Sequence, residues 1–236
     1  MAKKPDYGID AMPVVRNLAL VGIGAAILFA LSFAVPTLIE FRRMFAGFTV
    51  WFSLTATALV AYAKFGKIRH RDRMLAMVEW RGDEMVLDVG TGRGLLMIGA
   101  ATKLNSGRSF GVDIFNAADL SGNKLENTLS NAEAEGVASK IEVRNDDART
   151  LSFPADFFDV IVSNLCIHNI PNAEGRRQAC DEIVRVLKPG GTALISDFIN
   201  TALYANAFRQ AGLKTEKFGP YLFDTFPPLR IIKAQK

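Results

Sequence analysis

Asp88 to Gly94, DVGTGRG, sets an acid and three alternating glycines at the end of an apolar run, and a second acid, Asp113, follows 25 positions later. Glycine lets a backbone turn sharply or approach a ligand closely, and an acid about that far on can accept from a pair of ribose hydroxyls. A helix that starts after the turn would aim its N-terminus at the same spot. The nicotinamide fingerprint needs its third glycine one residue later, where Leu95 stands, so the loop reads G-x-G-x-G rather than G-x-G-x-x-G. Asp146 and Asp147 close a third apolar run, within reach of a base in the same cleft. The chemistry on offer is nucleoside binding. Each acid has a local alternative, capping its own turn through a side-chain oxygen, and the glycines could form a tight turn with no ligand. Arg93, inside the loop, reads as a solvated side chain.

The elements that must position these residues alternate between short apolar runs and helical patterns, which argues for helices layered on a mostly parallel sheet. Strands are expected at 85–89, 109–114, 140–145, 158–164 and 191–198, with a late pair in KTEKF and LRIIKAQ. Helices are expected at 95–103, around 119–135 and at 174–187, the last ended by KPGG.

The order of motifs VLDVGTGRG, GVDIF, NDDARTLSFPADFFDVIVSNLCIHNI and RVLKPGGTALISDF resembles that of class I S-adenosylmethionine-dependent methyltransferases, in the subgroup acting on small molecules and quinones. The resemblance runs from about Met74 onward and implies a Rossmann-like, doubly wound, mostly parallel seven-stranded sheet with S-adenosyl-L-methionine as cofactor. Carried over by position, it implies that Asp88, Thr91 and the backbone at Gly90, Gly92 and Gly94 hold the methionine end. Asp113 would take the ribose hydroxyls and Ile114 the adenine face. Asp147, followed by Ala148, would meet the adenine amino edge, with Asp146 as its substitute. Asn164 would line both the cofactor and the catalytic site through its backbone.

Methyl transfer from a sulfonium needs nucleophile, carbon and sulfur held in line, and a hydroxyl or carbon acceptor gains from a general base. In SNLCIHN, His168 is the side chain that titrates near neutral pH, so it is the candidate base; packing against the cofactor or a loop is the alternative. Cys166 reads as a small buried hydrophobe. Neither the two cysteines nor the two histidines cluster with metal-ligand spacing, and no metal is expected.

Residues 1–73 lie outside the resemblance. Asn17 to Ile39 and Met44 to Ala63 contain no Asp, Glu, Lys, Arg or His, and each is long enough to span a bilayer as a helix. With Glu40 to Arg43 as the turn, they form a two-helix transmembrane hairpin, joined to the domain at 74–236 by a basic linker, Lys64 to Arg73, expected at the headgroup surface. An apolar stretch this long, followed at once by a second, does not fit a cleaved signal peptide. Eight basic residues flank the outer ends (Lys3, Lys4, Arg16, Lys64, Lys67, Arg69, Arg71, Arg73) against Arg42 and Arg43 between the runs, which puts both termini and the domain in the cytoplasm. Gly22, Ala26, Ala30 and Ala34 would let another helix pack closely, so a homo-oligomer through the membrane helices is one reading and an ordinary apolar helix the other.

The charge is +6 in residues 1–73 and −2 in the rest, together the +4 of the chain, so the domain lacks the basic face of a nucleic-acid enzyme. The short segment from Asp197 to Gly212 leaves little room for a lid. A lipophilic small-molecule acceptor entering from the bilayer is therefore expected, with MLAMVEW (74–80) and YLFDTFPPL (221–229) as the entrance; core packing is the alternative for both. Two other functions fit the same residues less fully: a catalytically silent membrane scaffold that binds S-adenosylmethionine or S-adenosylhomocysteine, and a nicotinamide-dependent reductase, which the glycine spacing disfavours.

Overall fold

A computed structural model describes residues 4–116 and 119–236. Lys3, one of the basic residues used to orient the hairpin, lies outside the described residues.

The sheet has seven strands in the order β3-β2-β1-β4-β5-β7-β6: β1 Met85–Val89, β2 Arg108–Asp113, β3 Ile141–Asn145, β4 Phe158–Asn164, β5 Leu187–Asp197, β6 Lys214–Tyr221 and β7 Leu229–Gln235. The first five are parallel, and β7 lies antiparallel to both β5 and β6. Strand order reverses at β1/β4, and it is outside the carboxyl ends at such a switch point that α/β sheets bind ligands. Both sheet faces are covered. Leu87, Val89, Phe110, Phe158 and Ile161 pack against the helices α6 (Ala173–Val186) and α7 (Thr201–Gln210). Val86, Val160, Val162 and Leu194 face α4 (Leu95–Ala101) and the end of α3 (Lys67–Leu75). A further helix, α5, spans Leu125–Ala134.

β1 and β4 begin and end where the apolar runs do, but KPGG does not simply turn the chain. Leu187 already pairs with Phe158, and the register shifts before Val160 meets Thr192, so β5 starts four residues before the expected Gly191.

The expected spans move. α1 covers Met12–Leu31 and α2 Arg42–Ala61; both are long and apolar enough to cross a membrane. The first ends eight residues before Ile39, because Pro36 has no N–H to give a helix and holds Val35 extended at φ −107°, ψ 109°. Pro36–Phe41 then forms a 3-10 turn, and Arg42, expected inside the turn, opens α2 and clasps it by donating to Ser32 O at 2.7 Å. Gly22 serves the contact between α1 and α2: an added Cβ there would lie 3.3 Å from Ser53 Oγ.

Within the basic linker two residues differ from expectation, while Lys64 and Arg69 are exposed. α2 continues through a π-turn, Tyr62–Gly66, into α3, and Lys67 and His70 are 3% and 1% exposed rather than at a headgroup surface. Arg73, which can only donate, lies 3.1 Å from His70 Nδ1, which leaves Nε2–H to donate to Ser196 Oγ at 2.7 Å. Met74 and Leu75, expected at an acceptor entrance, are instead buried in the core.

Candidate functional site

A cavity of about 350 Å³ opens at the carboxyl ends of β1, β2 and β4. Asp88, Gly90, Thr91, Gly92, Asp113, Ile114, Asp146, Asp147, Ala148 and Asn164 all line it. Gly94 and His168 do not.

Asp88 is 2% exposed and ties the strand to the helix after the loop: Oδ2 accepts from Thr91 Oγ1 at 3.0 Å and from Met97 N at 2.9 Å. Burial pushes its carboxyl up to about 7 against these two bonds, with the charge of Asp113 adding to the rise. The glycines are needed for the shape of the loop itself. Gly90, Gly92 and Gly94 have φ of +76°, +54° and +86°, the region that disfavours side chains. An added Cβ would also meet Cys166 Sγ at 2.3 Å, Leu120 at 2.8 Å and Ile98 at 2.6 Å. Gly94 is thus the N-cap of α4 and packs away from the cavity.

The loop amides are committed within the protein. Gly90 N and Thr91 N donate to Val112 O, Gly92 N to Asp113 Oδ2 at 2.7 Å, and Gly94 N to Thr91 O. Asp113 Oδ1 also accepts from Phe115 N at 2.6 Å and Asn123 Nδ2 at 3.3 Å.

Asn123 was not singled out from the sequence, yet it lines the cavity beside Asp113, and its Oδ1 is buried without a hydrogen bond. It is an acceptor for a hydroxyl the protein does not supply. Next to it, the Ile114 side chain is 61% exposed and offers an apolar face. Acid, orphan amide oxygen and exposed aliphatic face together fit a nucleoside. Asp147 does what its local alternative says: Arg149 forks onto it, with Nη2 at 2.6 Å and Nε at 3.0 Å, and holds its carboxyl below the usual range. Asp146 Oδ2 accepts from Ser152 N and Oγ, so both acids shape the turn as well as line the cleft.

His168, the expected base, is not itself a lining residue but adjoins two that are, Asn169 and Asp119. The 3-10 turn Ile167–Asn169 drives Ile167 into the core and sets His168 Nδ1 3.1 Å from Asp197, which also accepts from Tyr204 Oη at 3.1 Å. Its ring lies edge-on to Phe198. The Cys166 thiol is pushed far up by burial, in keeping with a packing role.

The remaining wall comes from outside the motif region. Tyr7, Asp10 and Lys67 line the cavity. The strand-like segment before α1 crosses its mouth: Asp10 bridges to Leu120, Ala11 N donates to Asp119 O, and Asp6 N and O bond the Asn131 side chain. From the far side of the hairpin, Lys67 Nζ donates to Tyr7 O at 2.9 Å and Gly8 O at 2.8 Å and pairs with Asp10 at 3.1 Å. Arg93, expected in solvent, is 12% exposed along its side chain and pairs with Asp6.

Residues 86–191 match the family model described as a methyltransferase domain. The chain is 35% identical to the ribosomal protein L11 methyltransferase of Syntrophotalea carbinolica, over 56% of this chain and 38% of that one. It is 31% identical to the ubiquinone/menaquinone biosynthesis C-methyltransferase UbiE of Ruegeria sp., over 55% of this chain and 49% of that one. It therefore spans about half the length, or less, of these curated relatives. The crystal structure of a SAM-dependent methyltransferase from Aquifex aeolicus shares the fold, with a TM-score of 0.56 at 15% identity over 70% of this chain and 88% of that one. Residues 86–191 thus match a methyltransferase domain, on a fold that a SAM-dependent methyltransferase shares.

Proposed function

We propose that the chain is a membrane-anchored S-adenosylmethionine-dependent methyltransferase that acts on a small lipophilic acceptor at the cytosolic face of a bilayer. The observation that carries this reading is the cavity roof: Tyr7 and Asp10 immediately precede the first apolar helix, and Lys67 follows the second within a turn. The nucleoside cavity therefore faces the end of the hairpin, where a lipid-dissolved acceptor arrives.

Support for the anchor comes from apolar side chains with no protein cover. Leu20, Ile23, Ile27, Phe33, Val50, Trp51 and Leu54 are each about half exposed or more, a pattern a bilayer would cover. At the same end, Phe65, Leu222 and the fully exposed Phe223 form an apolar rim, held to the helix by the ion pair of Arg73 with Asp224. The rim keeps YLFDTFPPL in the entrance role that MLAMVEW loses. The basic residues at the outer ends of the hairpin support an orientation with both termini and the domain in the cytoplasm. The exposed small residues Ala30 and Ala34 remain open to a second copy.

In the reaction, the cofactor supplies an activated methyl group, and the residues of this chain bind and align. Asp113, Asn123 and Ile114 would hold the nucleoside, Asp88 and the loop the amino-acid end, and Asn164 faces the transfer site. The roof excludes water from the cavity. In-line alignment supplies most of the chemistry, and His168, paired with Asp197 beside the cavity-lining Asp119, remains the candidate base for a hydroxyl or carbon acceptor. The test is mass spectrometry of a membrane lipid extract incubated with the full chain and methyl donor. One lipid gaining a single methyl group is the expected result. Label confined to water-soluble products would refute the lipophilic acceptor, and tight donor binding with no transfer at all would favour the silent scaffold.

A further inference from the structure

The helical run from Arg42 to Leu75 is continuous: α2, the π-turn Tyr62–Gly66 and α3 follow one another without a break. At about 1.5 Å per residue, the 20 residues of α2 measure about 30 Å, the thickness of a bilayer's hydrocarbon core. The five residues of the π-turn add about 6–8 Å, the depth of one headgroup layer. Whatever packs against Gly66 therefore sits at headgroup level when α2 spans.

What packs there is the loop between β6 and β7. Gly66 is buried, and a Cβ added to it would lie 2.2 Å from Asp224 O, so the loop backbone rests directly on the helix. The base of the loop is fixed. Arg73 pairs with Asp224 and sets its guanidinium 4.0 Å from the centre of the Tyr221 ring, and the buried Thr225 accepts from Leu229 N at 2.9 Å. Between the held residues Tyr221 and Asp224, Leu222 and Phe223 stand out, 63% and 103% exposed, beside Phe65 of the π-turn at 68%. Two adjacent large apolar side chains on a fixed turn mark a surface for an apolar partner, and their height against the helix says which: the boundary of the bilayer. Lys64 and Arg69, exposed on the same stretch of helix, suit anionic headgroups. The loop also lies at the same sheet edge as the cavity, since Arg230, near the start of β7, pairs with Asp197 at the end of β5.

We infer that Leu222 and Phe223 insert into the leaflet next to the domain, as a second membrane contact made by the domain itself. With the hairpin, this contact fixes the tilt of the domain and holds the cavity edge against the bilayer. It rests on the proposed reading of α2 as a membrane span.

The test uses the full chain in nanodiscs, with a nitroxide label on one introduced cysteine at a time: Phe223→Cys in the loop, Trp51→Cys in the middle of α2, and Lys103→Cys, exposed just past the end of α4. The background from Cys166 and Cys180 is measured on the wild type. Collision with oxygen, which concentrates in lipid, and with a nickel chelate, which stays in water, gives the depth of each label. Because Phe223 is fully exposed, replacing it removes no packing within the chain. The label at 223 should sit about 5–10 Å into the headgroup and acyl boundary, deeper than that at 103 and shallower than that at 51. A label at 223 as open to the nickel chelate as that at 103, with 51 in the acyl core, overturns the inference and leaves the anchor standing. A label at 223 shielded from both reagents overturns it as well, since a protein surface such as a second copy would then cover the loop. If 51 is itself in water, the membrane reading of α2 fails, and this inference fails with it.

Discussion

The cavity has two walls of different origin. The floor, from Asp88 to Asn164, is built by strand ends and the turns that follow them, and its side chains are tied to one another across at most about twenty residues, from Asp88–Thr91 to Gly92–Asp113. The roof, Tyr7, Asp10 and Lys67, joins segments about 60 residues apart, separated by the whole hairpin. The floor holds its shape through backbone conformations few residues can adopt. The roof segment is tied to residues 119–131 by a few polar bonds, and across the hairpin by the buried Lys67 ammonium. A rigid floor suits recognition of a nucleoside, and a roof joined by a few side-chain bonds suits a cover that must lift to exchange it.

If that difference is real, the largest single effect should come from the floor. Gly90→Ala places a Cβ 2.3 Å from Cys166 Sγ at a φ of +76°. Denaturant unfolding should show a loss of about 3 kcal/mol or more from strain and overpacking, and S-adenosylhomocysteine binding should disappear in calorimetry. Near wild-type values would mean the loop is far more plastic than its packing implies.

Lys67→Met attacks the roof. Because Asp10 is a third exposed and can turn to water, the stability loss should be smaller, about 1–3 kcal/mol. The more telling readout is amide exchange: Ile9, whose N–H is bonded to Ser121 Oγ, should lose protection while the sheet keeps its own. Unchanged exchange at the roof would show that Lys67 does not hold it.

The next effect is in pH dependence. The Asp88 carboxyl titrates near 7 in the folded chain and near the ordinary carboxylate range when unfolded, so folding takes up a proton. Its favourable contribution is complete below about pH 4 and is lost as pH rises through about 7. Urea midpoints of the wild type should therefore fall across that window more steeply than those of Asp88→Asn. Parallel curves would locate the titration elsewhere. The smallest effect is expected at Asp6, which is 73% exposed where it pairs with Arg93; Asp6→Asn should cost under about 1 kcal/mol and be visible only as faster exchange of the segment before α1.

The same division separates what the sequence made legible from what it did not. Asp88, Asp113 and the strands that carry them follow from apolar runs that end at acids, because the floor is local. The glycines were legible as a turn, but the reason for them, Cys166, Leu120 and Ile98 occupying the space beside them, depends on distant contacts. Asn123 gave no signal, since a polar residue in a polar stretch becomes a buried cavity wall only once the fold sets Asp113 beside it. The partner of His168 was not legible, because spacing along the chain cannot show that a 3-10 turn faces its ring toward Asp197. Lys67 misled: a basic run after an apolar helix reads as a headgroup contact, and only the fold shows that its ammonium has carbonyls of the segment before α1 to bond.

The central claim, that the flanks of the hairpin complete the cofactor cavity, is tested most directly by hydrogen–deuterium exchange of the full chain in nanodiscs, with and without S-adenosylhomocysteine. Ligand should slow exchange of 7–11 and of the Asp88–Gly94 loop together. Protection of the loop alone, with 7–11 exchanging at its unliganded rate, would contradict it.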